Sequence, residues 1–476
     1  MKVSFINASP NQDLDKREER KAIASFPPLG ILYLATLLKE RGTKVSVLDQ
    51  PAKGFTIEET VNWIVKEDPD VLGFSTLASS GRTAALISNE AKKKNPNITT
   101  IFGNHYATFN PSRILRKYHS VDVIVRGEGE STIIDLISCL KNEGKLKDVL
   151  GINFRKKKRI ISTPDRPLIK DLDSLPIPNR KLIDTEYHCM IAGANVAPRK
   201  FTGLVSSRGC VYRCRFCSCR RFARGRWRFR SVQNTMEELH YLAGEGYKQF
   251  ILVDDNFTIN QKRVIKLCSR MRREGLKMDW ICEGRVDHCS REMLEEMKKA
   301  GCRIMYFGIE SANQRILDYF RKQATPQQSK AAVEKAEDAG IDVIVGSFIV
   351  GAPDETREEI QNTIDFARRI PIDIPQFNIL GAHPGTDIWD EFEREGRLNG
   401  GEYWETGVAV SKICPSAVPY KEIRRMIHES FYDFLRRPAF ILKQTRKTLT
   451  SHYRMEVIMR NLNRMGSIRQ DVRSVT

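Results

Sequence analysis

A chain of 476 residues exceeds one ordinary domain and predicts two or three, each able to bury its own core. With 41% hydrophobic and 29% charged residues and a formal net charge of +19, the composition excludes a wholly disordered chain, and no apolar run approaches the ~18 residues that span a bilayer. The amino terminus, MKVSFINASPNQDLDKREER, carries acids and bases where a signal peptide is apolar, which predicts a cytoplasmic protein.

From Lys2 onward, short β-branched runs alternate with helical patterns. They are KVSFIN (2–7), LGILYLATLLKERG (29–42), KVSVLD (44–49), TIEETVNWIVKE (56–67) and VLGFST (71–76), then a helix near 81–94, TTIFG (99–103), a short helix near 112–117, VDVIVRG (121–127) and a helix near 129–142. Five strand–helix repeats predict an α/β domain over residues 1–145, a doubly wound five-stranded parallel sheet whose strands read as apolar runs because both faces are covered. Ligands of such sheets bind at the carboxyl ends of the strands. Here these are the turns at Ser75-Thr76, Gly103-Asn104-His105 and Arg126-Gly127-Glu128, whose small residues and backbone N–H groups suit a phosphate or a large flat ligand. No GxGxxG follows the first strand, which disfavours a dinucleotide. Residues 146–199 read as a linker.

The next domain spans residues 200–395. In FTGLVSSRGCVYRCRFCSCRRF (201–222) an apolar strand ends in a loop with Cys210, Cys214 and Cys217 spaced Cys-x3-Cys-x2-Cys. Three thiolates on one short loop can hold three corners of a cubane iron–sulfur cluster and leave the fourth iron open. A structural zinc site completed by Cys219 is the alternative. Strand signals continue at KQFILVDDNF (248–257), MDWICEGRVD (278–287), CRIMYFGIES (302–311), IDVIVGSFIVG (341–351) and DIPQFNI (373–379). With the cysteine strand this makes six and predicts a partial (β/α)6 barrel with its site at the strand C-terminal ends.

Residues 396–476 lack strand patterns and read as a helical, basic C-terminal domain, with helices near 419–436 and 439–464 separated at Pro438. The charge is unevenly placed. Residues 206–230 hold nine Arg and no acid, and 421–476 hold thirteen Lys and Arg against five acids, so two patches carry seventeen of the nineteen net charges. That pattern differs from the uniformly basic surface of a nucleic-acid coat. In the C-terminal patch Phe431, Phe434, Leu435, Phe440, Ile441 and Leu442 mingle with the bases, which fits peripheral contact with an anionic membrane surface or an acidic partner. Packing of the apolar face against the barrel mouth, with the charges solvated, is the reading preferred over such contact.

With Phe216 directly before the third cysteine, the loop resembles the cluster loop of the radical S-adenosylmethionine (SAM) enzymes. The order of a doubly wound domain, a linker containing Leu172-Asp173-Ser174-Leu175-Pro176-Ile177-Pro178 and a Cys-x3-Cys-x2-Cys barrel resembles their cobalamin-binding branch. Phe26-Pro27-Pro28-Leu29-Gly30, Gly103-Asn104-His105 and Arg126-Gly127-Glu128-Gly129-Glu130 are similar to that branch's N-terminal domain.

The resemblance implies a [4Fe-4S] cluster on Cys210, Cys214 and Cys217, together with SAM and cobalamin. It implies SAM contacts from Phe216 at the adenine, Asp254, Asp255 and Asn256 at the amino group, Arg285 at the carboxylate, Glu310 and Ser311 at the ribose, and Gly351 in an adenine-side turn. For cobalamin it implies Leu29, Gly30, Ser75, Thr76, Gly103, Asn104, His105, Arg126, Gly127 and Glu128. Two departures stand out: the amino-group turn lacks its Gly-Gly-Glu form, and no Asp-x-His-x-x-Gly follows the first strand to supply a lower ligand to cobalt. Arg208, Arg213, Arg215 and Arg220 are expected beside the anionic cluster and SAM carboxylate, and Arg224, Arg226 and Arg228 in solvent. Cys219 is expected outside the ligand set, Cys282, Cys289 and Cys302 in the core, and Cys139 and Cys414 are each isolated.

The implied activity is that of an oxygen-sensitive C-methyltransferase, in which a 5'-deoxyadenosyl radical activates an unactivated carbon and methylcobalamin methylates it. Ring formation or rearrangement without methyl transfer is the alternative, and a zinc-stabilised nucleic-acid-binding protein the remote one. The implied partners are an electron donor such as ferredoxin or flavodoxin and a substrate that is a peptide or protein side chain, a lipid or a tetrapyrrole. Nucleic acid is not expected.

Overall fold

The computed structural model describes residues 1–10, 17–21, 25–398 and 416–465, so Cys414 lies outside the described residues. The chain divides into two compact units. The first holds Met1–Tyr187, Cys217–Arg228 and residues 382–398, and the second His188–Phe216, Phe229–Gly381 and residues 416–465.

In the first unit β1 (Lys2–Asn7), β2 (Lys44–Asp49), β3 (Val71–Ser75), β4 (Thr99–Gly103) and β5 (Val123–Val125) pair in parallel in the order β2-β1-β3-β4-β5. The helices between them include α1 (Leu29–Glu40), α2 (Ile57–Glu67), α3 (Gly81–Lys94), α4 (Asn104–Phe109), α5 (Pro111–Lys117) and α6 (Glu130–Lys141). Val3, Phe5, Val71, Ile101 and Val123 pack against Ile31, Ala35, Leu38, Ile133 and Leu136, so the apolar runs are strands buried beneath helices. A capping box at Thr56 and Glu59 starts α2, satisfying amide donors that the first turn leaves open. The five strands read from the sequence are the parallel part of a larger sheet. An antiparallel hairpin, β6 (Ile152–Lys156) and β7 (Arg159–Ser162), extends it to seven strands, so the stretch read as a linker begins inside the first unit.

The second unit has the six parallel strands expected of a partial barrel, in sequential order: β8 (Phe201–Leu204), β9 (Gln249–Leu252), β10 (Asp279–Arg285), β11 (Cys302–Glu310), β12 (Val343–Val350) and β13 (Ile374–Ile379). Around them lie α7 (Val232–Gly244), α8 (Gln261–Arg273), α9 (Arg291–Lys299), α10 (Pro326–Asp338) and α11 (Arg357–Arg369). The core between strands and helices includes Trp280, Cys282, Cys302, Met305 and Phe307 with Leu267, Met293 and Val333. Cys268, Cys282, Cys289 and Cys302 are buried there, and burial raises the thiol pKa of Cys268, Cys282 and Cys289, as for small hydrophobic residues.

Three C-terminal helices follow, α12 (Tyr420–Arg436), α13 (Pro438–Thr450) and α14 (His452–Met465). Ile423 and Met426 of α12 pack on Val350, Ile360 and Ile364. Basic residues of the next two helices turn inward rather than into solvent. Lys443 and Lys447 pair with Glu337, and Lys447 and Arg454 pair with Asp373, which immediately precedes β13. Ser451 donates to Asp342, which precedes β12. These helices therefore engage the N-terminal ends of the strands, opposite the mouth expected from sequence. Leu442 and Leu449 stay 73% and 72% exposed, and among the described residues no helix is long and apolar enough to cross a membrane.

Candidate functional site

In the second unit the cysteine loop as far as Phe216, with Cys210 and Cys214, is fixed by the strand ends around it, and Cys217 begins the segment that belongs to the first unit. The Asp254 carboxylate accepts from the Ser206 backbone N–H (2.6 Å), the Ser206 hydroxyl (2.6 Å) and the Ser207 hydroxyl (2.7 Å), pinning the end of the strand that feeds the loop. Both oxygens are thereby committed and the side chain is buried, which raises its pKa, so Asp254 stands as a positioning residue for the loop. Asp255 accepts from the N–H of Gly209, the residue before Cys210, at 2.6 Å. The Arg215 N–H donates to the Phe320 carbonyl at 3.0 Å, and Phe216 meets the Phe320 ring edge-on at 5.3 Å. Asn256 is 2% exposed and its Nδ2 has no hydrogen-bond partner, a buried donor in the turn expected to face the SAM amino group.

Arg285 ties the loop to the third and fourth strands. It donates to Cys214 Sγ at 3.6 Å, forms two bonds to Asp287 at 2.9 and 3.1 Å, donates to the Lys322 carbonyl at 2.5 Å and stacks over the Tyr212 ring at 3.6 Å. A guanidinium suits this task because its planar fork serves several acceptors at once. Tyr212 in turn is bonded to His288. At the end of β11, Glu310 pairs with Lys322 at 2.7 Å, both less than a tenth exposed. A Cβ on Gly308 would lie 2.6 Å from the Glu310 carboxylate and 2.9 Å from the Lys322 ammonium, so glycine leaves room for that pair. Ser311 is fully buried, shares a bond with Thr363 at 3.2 Å and accepts from the Asn313 N–H. Gly351, at φ +86°, gives its N–H to Glu355, whose carboxyl also accepts from Ala352 and is pushed up by burial to about 7. Glu355 belongs to the adenine-side turn Gly351-Ala352-Pro353-Asp354-Glu355-Thr356, whereas Tyr212 and Lys322 carry no expectation from the sequence, the signal for Tyr212 being an aromatic between the first two cysteines.

The donor chemistry of the loop fits a thiolate-bound cluster: three part-exposed cysteines on one loop, with a guanidinium at one sulfur. Among the described residues no three His, Cys, Asp or Glu side chains are already gathered at metal-binding distance.

At the corresponding edge of the first unit the charged side chains serve the fold. Arg126 donates to the Ile152 and Thr163 carbonyls and pairs with Asp165 at 2.8 Å, so it anchors the β6–β7 hairpin rather than offering itself to a ligand. Glu128 accepts from the Ile169 N–H at 2.9 Å and pairs with Arg228 at 2.9 Å. Arg228 is 11% exposed, which corrects its expected place in solvent, and Arg224 pairs with Asp165 at 3.5 Å. Thr76 is buried and donates to the Gly103 carbonyl, Ser75 accepts from Asn104, and Leu29 is buried in α1. What remains outward is backbone and ring. Gly30 and Gly127 have open space where a Cβ would stand, and Gly103 has only ordinary contacts. His105 stacks on Phe222 at 4.1 Å and 16°, with its Nδ1 2.8 Å from Asn104 Oδ1. An edge of glycines and a stacked ring pair fits a large flat ligand such as a corrin. Cys219 lies in the short helix Cys219–Phe222.

Comparison with known proteins follows the same division. Residues 204–367 match the model of the radical SAM superfamily, and residues 21–137 match that of the B12 binding domain. An uncharacterized methyltransferase of Pyrococcus horikoshii is 35% identical over 419 residues, spanning 88% of this chain and 89% of that protein. The anaerobic magnesium-protoporphyrin IX monomethyl ester cyclase of Rubrivivax gelatinosus is 28% identical, over 93% of this chain and 78% of its own length. Among solved structures, the radical SAM methyltransferase TsrM of Kitasatospora setae, with cobalamin and a [4Fe-4S] cluster bound, superposes with a TM-score of 0.66. The match covers 83% of this chain and 75% of that one at 16% identity, a likeness of fold.

Proposed function

The chain belongs to the radical SAM superfamily, in the branch with a B12-binding domain, and from that premise we propose that it is a cobalamin-dependent C-methyltransferase acting on an unactivated carbon. The observation that carries this reading is the cysteine loop itself. It is pinned at Gly209 by Asp255 and at Arg215 by Phe320, and Arg285 donates to Cys214. Cys210, Cys214 and Cys217 would hold the cluster; Asn256, Phe216 and the Gly351 turn would hold SAM; Gly30, Gly103, Gly127 and His105 would line the corrin. Bound there, these groups supply a 5'-deoxyadenosyl radical and a transferable methyl group.

The chain's own part is positional. Arg285 places positive charge at Cys214 and keeps its orientation through Asp287 and the Lys322 carbonyl. Asp254 and Asp255 hold the loop's entry, so that on loading only the short segment bearing the thiols would have to close. Ferredoxin or flavodoxin as electron donor, a cytoplasmic site and work under anaerobic conditions belong to the same proposal. The methyltransferase relative of P. horikoshii supports methyl transfer, and the cyclase of R. gelatinosus supports the second reading, radical chemistry without it.

Anaerobic product analysis separates them. Methyl transfer predicts a product one methyl heavier with both 5'-deoxyadenosine and S-adenosylhomocysteine, whereas 5'-deoxyadenosine without S-adenosylhomocysteine supports ring formation. Zinc without iron or sulfide after anaerobic purification overturns both.

A further inference from the structure

The bore of the second unit's barrel holds a carboxylate that cofactor binding leaves unused. Side chains alternate along a strand. Trp280, Cys282, Met305 and Phe307 lie in the core beneath the helices, so Ile281, Glu283 and Arg285 of β10 and Tyr306 and Gly308 of β11 point into the bore. Register sets the levels. Ile251, Ile281, Ile304 and Val343 stand side by side as an aliphatic layer. Glu283 stands beside Tyr306 one level up, and Arg285, which meets Cys214, is two residues further on. At about 3.3 Å per residue Glu283 therefore lies roughly 7 Å deeper than the guanidinium's strand position.

On the N-terminal side of the barrel the last helix meets the segment that precedes β8. Asn461 of α14 exchanges bonds with the Asn195 backbone at 2.9 and 3.0 Å, and Tyr453 donates to the Val196 carbonyl at 2.6 Å. The C-terminal helices thus sit at the end of the strands away from the cysteine loop.

Glu283 differs from every other acid of this site. Asp254 and Asp255 are bonded to the loop and Glu310 to Lys322, but Glu283 has no hydrogen bond or ion pair among the described residues. Its side chain is reached by solvent although protein surrounds it on nearly every side, as at the bottom of a recess. Burial, then Glu310 and Asp255, raise its pKa, so a cation placed beside it would favour its ionised form. The wall continues polar through Ser347, Gln376 and Asn378, the last two exposed, with Asn378 donating to Ser347 at 3.3 Å. An aliphatic tail would leave these groups unsatisfied.

We propose that the bore receives the substrate and that Glu283 pairs with an ammonium or guanidinium group on it, which makes the substrate a polar, amine-bearing molecule and not a lipid. The proposal rests on the cofactor reading for the identity of the site. SAM carries an ammonium of its own, so the test separates the two sources.

Full-length protein, reconstituted anaerobically with iron and sulfide, is titrated with n-butylamine, butyramide and butyrate by ligand-observed NMR. Saturable binding of butylamine is expected, about tenfold or more tighter than either other probe, and weakened by a similar factor in Glu283→Gln. SAM added to the wild type is expected to leave butylamine bound. Equal binding of the three probes, or undiminished binding by Glu283→Gln, overturns the proposal. Displacement of butylamine by SAM also overturns it, by giving the carboxylate to SAM. Failure of the wild type to bind iron or to form 5'-deoxyadenosine defeats the cofactor reading instead, while the probe series still judges Glu283.

Discussion

The strand ends of the two units carry similar residues and use them in opposite ways. At the first unit's edge Arg126 and Glu128 are spent on the hairpin, Ile169 and Arg228, leaving glycine backbone and the His105–Phe222 stack to face outward. At the second unit's edge Arg285 reaches a cysteine sulfur and a buried Glu310–Lys322 pair closes one strand, while deeper in the bore Glu283 has no bonded partner among the described residues. The first edge is built to recognise by shape and the second by charge. A residue's type at a strand end therefore says little until its partners are known.

The sharpest test of that contrast is Lys322→Ala. It strands Glu310 in a site less than a tenth exposed, and loss of one partner of a buried pair costs about 3–5 kcal/mol. Arg228→Ala, its first-unit counterpart, leaves Glu128 with the Ile169 N–H and is expected to cost clearly less. Denaturant midpoints of the two variants check this, with Lys322→Ala/Glu310→Gln recovering part of the loss. Equal costs would break the comparison.

Glu355 tests the charged edge through pH. Burial raises its folded pKa from an ordinary 4.5 to about 7, so between those values the folded state holds more protons than the unfolded state and stability falls as pH rises. Glu355→Gln keeps an acceptor for Gly351 and Ala352 and cannot ionise. It is expected to match the wild type near pH 4.5 and to exceed it above pH 7, by roughly 3 kcal/mol at most. Melting curves across that window decide, and parallel pH profiles would show that Glu355 does not titrate there.

Much of this arrangement was legible because its signals are local. The barrel strands are largely apolar runs, and the three cysteines sit within eight residues, so both are local patterns. The hairpin has Arg155, Lys156 and Arg159 around its turn and buries only Ile152, Asn153 and Phe154, a weak strand signal. Lys322 lies twelve residues beyond Glu310, across a helix, at a distance no spacing rule covers. Asp254 reads as a ligand contact because the resemblance puts the SAM amino-group turn at that strand end, and only the fold brings Ser206 and Ser207 onto its two oxygens. The basic C-terminus read as a surface for the same reason, since Glu337, Asp342 and Asp373 are distant in sequence.

Arg285→Lys narrows the question to geometry at constant charge. Lysine cannot reproduce the fork to Asp287 or the stack on Tyr212, so cluster retention after gel filtration is expected to fall by about 10–100-fold, the usual cost of losing a group that orients a metal ligand. Unchanged iron content would reduce Arg285 to a generic positive charge.

The smallest effect belongs to the shape-reading edge. Gly127 sits at φ +67° with nothing within 4 Å of the position a Cβ would take. Alanine there should cost about 1 kcal/mol of stability from backbone strain alone. Its methyl nevertheless projects into the space in which a flat ligand would lie, so cobalamin affinity, followed by corrin absorbance, should fall further than stability does. A parallel small loss in both would mean that Gly127 serves the turn only. A loss confined to affinity would place the corrin against this backbone, because strain acts with or without ligand while a steric block acts only when the ligand is bound.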